Sequence, residues 1–308
     1  MPDRSEISTG WDVQTVPVDT SLGGLFFLND KKGWVTGDKG VILHTENGGK
    51  EWVQQEIGTK VPIVSIFFLN ERLGWVVGDR GLIAHTADGG HTWNPQPSGV
   101  KKDLTSVFFI DEKRGWVTGI KGNLLSTDDG GRTWLKAKGE SRLTMNYALF
   151  TDPDHGWITA HKGNLLYTEN GGKNWSIRQT GTTIDLLRIF FVNRDIGWIV
   201  GSAGLILKTT DGGKTWAAQK SELNSLLLDV SFVDENHGWV VGAGGTVLQT
   251  KDGGETWVQQ TTGTLQFLTG VHFSDQNVGW VTGTKQTILY TETGGEPPLE
   301  TANHPSSS

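Results

Sequence analysis

The chain has 308 residues, a net charge of −7 and no cysteine, which excludes disulfides, thiolate metal sites and cysteine nucleophiles. The acidic balance argues against generic nucleic-acid binding. No apolar run approaches the ~18 residues a membrane helix needs, so no direct membrane insertion is expected.

The first residues, MPDRSEISTGW, lack the basic-then-apolar order of a signal peptide, and residues 1–9 read as a tail. Beyond them one unit recurs, beginning with GWVTGDKGVILHTENGGKEW at Gly33–Trp52. Its Gly-Trp pair returns at Trp75, Trp116, Trp157, Trp198, Trp239 and Trp280, always 41 residues on. Its last tryptophan, Trp52, returns at Trp93, Trp134, Trp175, Trp216 and Trp257 on the same step; with Trp11, one step earlier, these sets use all 14 tryptophans. Periods of ~20–50 residues indicate solenoids, propellers or arrays.

Each unit carries four strand signals. The first is Leu22–Leu28, with a phenylalanine at Phe27, Phe68, Phe109, Phe150, Phe191, Phe232 and Phe273, and an Asn or Asp two residues later suits a turn. The second strand starts at Gly33 and ends near Gly37. A glycine-containing turn, Gly37-Asp38-Lys39-Gly40, leads to the third at Val41–Thr45, as in antiparallel hairpins. The next turn has the form T-x-[DN]-G-G-x-x-W and resembles the Asp-box of sialidases and sortilin-type receptors. Its acidic or amide position is Asn47, Asp88, Asp129, Asn170, Asp211 and Asp252. These side chains are suited to accept turn amides while the glycine pair takes φ > 0, so we read them as structural. The resemblance implies an outer-rim location, away from any ligand pocket.

The seventh unit fails after Gly294-Gly295, where Pro297 and Pro298 replace the expected residues. The missing tryptophan is Trp11, so Gly10–Val18 is expected to supply the outer strand of the last blade beside Tyr290 and Thr291. These features predict an all-β fold, a seven-bladed β-propeller over residues 10–296 with four antiparallel strands per blade. Closure removes open sheet edges; a linear β-solenoid would not need the offset ends. Residues 297–308, rich in Pro and Ser, read as a disordered tail.

Propeller geometry puts the turns between second and third strands on one face, with the blade-crossing loops. One turn column reads Lys39, Arg80, Lys121, Lys162, Ala203, Gly244 and Lys285, so blades seven, one, two, three and four form a basic arc. Crossing loops add Lys60, Lys101, Lys102, Lys138 and Arg142, and with Lys220 the basic residues on this face outnumber acidic ones eleven to eight. The functional expectation is a docking face for an acidic protein surface, with charge aiding rate and orientation more than affinity. The bland alternative is solvated turn lysines. Leu223, Leu226, Leu265 and Phe267 in crossing loops are expected mostly to be buried between blades.

Enzyme signatures are weak. A sialidase Arg-Ile-Pro is not matched, since Arg188-Ile189 precedes Phe190, and no arginine column recurs. Paired carboxylates for glycoside hydrolysis stay open as an alternative, although most acids occupy turn columns. The histidine columns, His44 with His85 and His155 with His237, are separated by blade spacing, so no metal and no cofactor are expected.

Asp-boxes alternating with units such as GWVVGDRGLIAHTADGGHTW and GWIVGSAGLILKTTDGGKTW resemble the photosystem II stability and assembly factor family. The resemblance implies a non-catalytic seven-bladed propeller, and photosynthetic members act in the thylakoid lumen on the precursor of a reaction-centre subunit. It also implies a thylakoid-lumenal, periplasmic or secreted location and a monomer. An arginine-rich patch serves that contact in the family, and the basic arc would be its counterpart here. The alternatives are a carbohydrate-binding or hydrolysing propeller and a structural scaffold, natural or engineered, without a specific ligand; the unbroken 41-residue step suits the last.

Overall fold

The computed structural model describes residues 9–137 and 142–297. They form seven four-stranded antiparallel sheets, each following chain order from the innermost strand outward, except the last. Blade one consists of Leu22–Phe27, Gly33–Gly37, Ile42–Thr45 and Val53–Gln55. Blade seven takes Leu268–Phe273, Gly279–Gly283 and Thr287–Gly295, and its outer strand is Gly10–Val13 from the other end of the chain. Asp12 stands opposite Tyr290 and Val13 opposite Leu289, and the Gln14 amide extends the ladder to the Ile288 carbonyl at 2.9 Å. The ring is therefore shut by strand pairing. No helix among the described residues is long and apolar enough to cross a membrane. The tail expectations for residues 1–8 and 298–308 lie outside the described residues.

Strand limits differ slightly from the expected ones. The third strand begins at Ile42 rather than Val41, because Asp38–Gly40 forms a single tight turn in which Lys39 and Gly40 are both left-handed. A Cβ on Gly40 would collide with the Thr59 carbonyl of the crossing loop. Only glycine meets both demands, φ > 0 and that close approach.

The tryptophans do more than fold over their own hairpins. Trp34 of blade one stacks on Phe68 of blade two with centroids 3.7 Å apart, and Trp75 on Phe109, Trp198 on Phe232 and Trp239 on Phe273 repeat this at 3.6, 3.5 and 3.5 Å. Trp280 closes the series on Phe27 at 3.9 Å. Each phenylalanine also receives an edge-on indole from its own blade: Trp52 meets Phe27 at 6.1 Å, and Trp11 meets Phe273 at 6.0 Å. Every phenylalanine of this column is thus held between two tryptophans, one from its own blade and one from the blade before. Such pairs add ~0.5–1.5 kcal/mol beyond the area they bury. The glycine before each first tryptophan makes room, since a Cβ on Gly33 would sit 2.5 Å from the Phe27 ring.

A glutamine on the outer strand fastens most joints between blades. Gln14 accepts the Trp52 indole N–H at 2.9 Å and donates to the Gly48 carbonyl. Gln96 joins Trp134 and Gly130, Gln219 joins Trp257 and Gly253, and Gln260 joins Trp11 and Gly294. Gln55 makes the glycine contact alone, to Gly89. At the joints from blade three to four and from four to five the column holds Ala137 and Arg178, and the indole nitrogens of Trp175 and Trp216 are buried without a partner among the described residues.

Candidate functional site

The structure separates two faces. On one lie the Asp-boxes, whose geometry is local. Asp88 Oδ1 accepts the Thr86 hydroxyl and the Thr92 amide, both at 2.8 Å, and Oδ2 accepts the Thr92 hydroxyl at 2.6 Å. Asp129, Asp211 and Asp252 repeat this with Thr133, Thr215 and Thr256. Asn47 and Asn170 keep the amide contact, to Glu51 and Asn174. Hydrogen bonds from the Thr92 and Thr133 side chains hold Asp88 and Asp129 down at about 2. For Asp211, partial burial opposes ionisation, yet the Thr215 bonds still bring it to about 2. Carboxylates held this way accept hydrogen bonds from the turn and are poor general acids at neutral pH.

The histidines are likewise engaged. His44 lies flat on Trp34 at 4.7 Å and His85 against Trp75 at 4.9 Å, and burial lowers both. His155 and His237 each place Nδ1 2.9 Å from a neighbouring aspartate, Asp152 and Asp234. No group of three or more His, Cys, Asp or Glu among the described residues is placed to hold a metal.

The opposite face carries the turns and crossing loops. Lys39, Arg80, Lys121, Lys162 and Lys285 are all exposed and all left-handed, with φ of 58°, 57°, 57°, 61° and 51°. Lys101, Lys102 and Arg142 are exposed in the crossing loops, while Lys138 and Glu140 lie outside the described residues. The loop acids have a job that the sequence did not reveal. Asp103 Oδ1 accepts the Arg80 amide at 2.9 Å, and Asp185 Oδ1 accepts the Lys162 amide at 2.7 Å. Two of the acids that offset the arc's charge thus hold its turns in place. Asp79 sits next to them, raised first by burial and then by Asp103 and Asp38.

Two expectations need correction. Leu265 and Phe267 are not buried between blades: they are 84% and 48% exposed, because the crossing loop into blade seven turns them outward beside Lys285. Leu223 and Leu226 are half-buried.

The same face contains the mouth of the central channel, a cavity of about 350 Å³ lined by the starts of all seven innermost strands. One repeat column at the strand starts reads Gly24, Ser65, Ser106, Tyr147, Arg188, Asp229 and Gly270, and Gly24, Arg188, Asp229 and Gly270 line the cavity. Arg188 Nε lies 2.8 Å from Asp229 Oδ1, and the guanidinium covers the Tyr147 ring at 3.7 Å. Burial works against the charge on Arg188, but Asp229 and Tyr147 outweigh it and raise its pKa. Burial pushes Asp229 up, against Arg188 and the amides of Val271 and Val230. Sequence reasoning met Arg188 only as a failed sialidase signature. Reading the column downward would have exposed Tyr147, Arg188 and Asp229 in a row where other blades have glycine or serine.

The sequence model for the photosynthesis system II assembly factor YCF48 matches residues 4–98, 50–145, 91–176, 140–221 and 215–297. The chain belongs to the YCF48 family. No curated protein matches it. Among solved structures, YCF48 bound to a D1 peptide aligns with a TM-score of 0.78 at 20% identity, covering 92% of this chain and 97% of the other. YCF48 from Cyanidioschyzon merolae gives 0.76 and 20%, covering 92% and 98%. The GH74 xyloglucanase from Xanthomonas campestris gives 0.75 at 11%, covering 93% of this chain and 54% of the enzyme. At these identities the structural likeness establishes the propeller alone, and the family rests on the sequence match.

Proposed function

We propose that this YCF48-family chain is a non-catalytic, protein-binding propeller that assists assembly of a multi-subunit complex by docking an acidic partner segment on its basic arc. One observation carries the reading. Six of the seven turns place a non-glycine residue where the backbone is left-handed, five of them lysine or arginine and one Ala203, and Gly244 in the same column of blade six shows the unstrained choice. A left-handed non-glycine residue is uncommon, and its persistence points from local strain toward use. Family membership supports the class of activity, and the D1 peptide held by a relative supports an extended protein segment as ligand. Exposed Leu265 and Phe267 would give such a segment an apolar anchor beside the charge. The Asp-box carboxylates, engaged within their own turns, favour binding over glycoside hydrolysis.

The test is binding of a D1-type peptide to the chain and to the variant with Lys101, Lys102, Lys121 and Arg142 all changed to Glu. Binding is expected to vanish in the variant with the thermal transition in place, and to weaken with added salt in the parent. Equal binding by both would remove the arc from the reading, and turnover of a fluorogenic glycoside panel would remove the non-catalytic part.

A further inference from the structure

The crossing loops form a column of their own at their tips. It reads Asp19, Lys60, Lys101, Arg142, Thr183, Asn224 and Leu265, six polar residues and one leucine. Two positions on, the column reads Ser21, Pro62, Asp103, Thr144, Asp185, Leu226 and Phe267. The crossing from blade six to seven is therefore the one that carries a large apolar side chain at both positions. Leu265 is 84% exposed and Phe267 48%, whereas Leu226 is half-buried. The fold does not call for such a pair, since the other six loops make the same crossing with a polar tip. This loop is pinned through main-chain atoms: the Gly245 amide donates to the Gln266 carbonyl at 2.8 Å, and the Phe267 amide to the Thr284 hydroxyl at 3.2 Å. Two neighbouring apolar side chains turned to solvent without a packing reason mark a contact surface.

The surroundings of the pair sort by charge. The groove behind the tip is lined by glycine, threonine, glutamine and Leu265 itself, with no charged residue. On one side the turn column is neutral at Ala203 and Gly244; on the other Lys285 opens the cationic run that continues through Lys39, Arg80, Lys121 and Lys162. The 41-residue step is unbroken, so no crossing loop outgrows its neighbours to wall off a cleft. The face has an excess of three basic residues on a chain of net charge −7, which leaves −10 for everything else. A broad anionic plane attracts this face and repels the others.

We propose that this face docks on an anionic lipid bilayer, with Leu265 and Phe267 entering the boundary between headgroups and acyl chains and the arc lying against the phosphates. Apolar side chains in that boundary and basic ones at the surface are the two attractions that hold interfacial proteins, and neither needs a spanning segment. A folded protein partner would have to offer a pocket for the pair, whereas a fluid bilayer closes around it. The inference goes beyond the reading of the arc as a peptide-docking surface and does not depend on a peptide.

The chain has no cysteine, so Leu265→Cys carrying the environment-sensitive label NBD reports insertion at a single point. The probes are unilamellar vesicles of phosphatidylcholine, alone or with about one third phosphatidylglycerol. On the anionic vesicles the label at 265 is expected to brighten and shift to the blue, while the same label at Glu112→Cys, beside an Asp-box turn, stays in water. Co-sedimentation of the unlabelled chain with anionic vesicles should exceed that with neutral ones by about tenfold and fall with added salt. Leu265→Asn combined with Phe267→Thr copies Asn224 and Thr144 of the same columns. That variant should melt like the parent and lose about tenfold in vesicle binding. An unchanged label at 265, equal sedimentation with both vesicles, or a folded double variant that binds like the parent would each overturn the proposal. Loss of peptide capture by the double variant with vesicle binding intact would do so too, by assigning the pair to a protein contact. Vesicles and D1-type peptide are assayed separately, so failure of either reading leaves the other standing.

Discussion

The joints between blades six, seven and one and those on either side of blade four are built from the same repeat, yet they are fastened differently. At the first, Gln260 and Gln14 each join an indole and an Asp-box carbonyl of the next blade. At the second, Ala137 and Arg178 replace glutamine and the indoles of Trp175 and Trp216 are left without acceptors. Arg178 turns instead over the Tyr167 ring at 4.5 Å. Blades four and five also supply Tyr147 and Arg188 to the channel. The repeat maintains the ring, and it has been relaxed on the side where the channel carries its charged residues.

The comparison can be broken hardest at the seam. Trp11→Ala should cost ~3–5 kcal/mol, and removal of residues 1–18 more, since strand pairing to Thr287–Gly295 goes as well; denaturant unfolding measures both, and an unchanged midpoint would mean the last blade is completed otherwise. Next, Gln219→Ala should cost ~1 kcal/mol, because it strands the half-buried indole N–H of Trp257, while the Gly253 carbonyl keeps the Trp198 indole. The reverse change sharpens the contrast. Ala137→Gln should stabilise by ~0.5–1.5 kcal/mol by giving Trp175 an acceptor, while the same substitution on the exposed face of a strand should do nothing.

The smallest effect concerns acid. Asp88, Asp129 and Asp211 sit at about 2 in the fold, below the ~3.9 of an unfolded aspartate. Their folded pKa is depressed, so their contribution is complete above ~pH 4 and is lost as pH falls toward 2. Replacing all three by Asn, the residue already present at positions 47 and 170, should flatten the acid limb of a melting-temperature profile while leaving the neutral plateau in place.

Whatever repeats was legible in the sequence. The 41-residue step, the tryptophan columns and the offset of Trp11 led to blade number, strand order and the shared blade, because each strand recurs with its own punctuation. The exchange of rings between neighbouring blades was not legible: Trp34 and Phe68 meet through curvature of the whole ring, which no single unit contains. The glutamine column escaped because glutamine has no turn or strand preference to draw the eye, although Gln14, Gln55, Gln96, Gln219 and Gln260 keep the step. The arc could be read as a column, but not the Asp103 and Asp185 bonds that hold its turns. The channel was missed for the opposite reason: Tyr147, Arg188 and Asp229 break the pattern, and a search for sameness passes over them.

The seam also brings the two ends together. Gly10 pairs with Gly295 in the last blade, so the two ends of the described chain meet in a single strand pair. A circular permutant that joins them and opens one of the other hairpins would therefore keep the strand order of every blade.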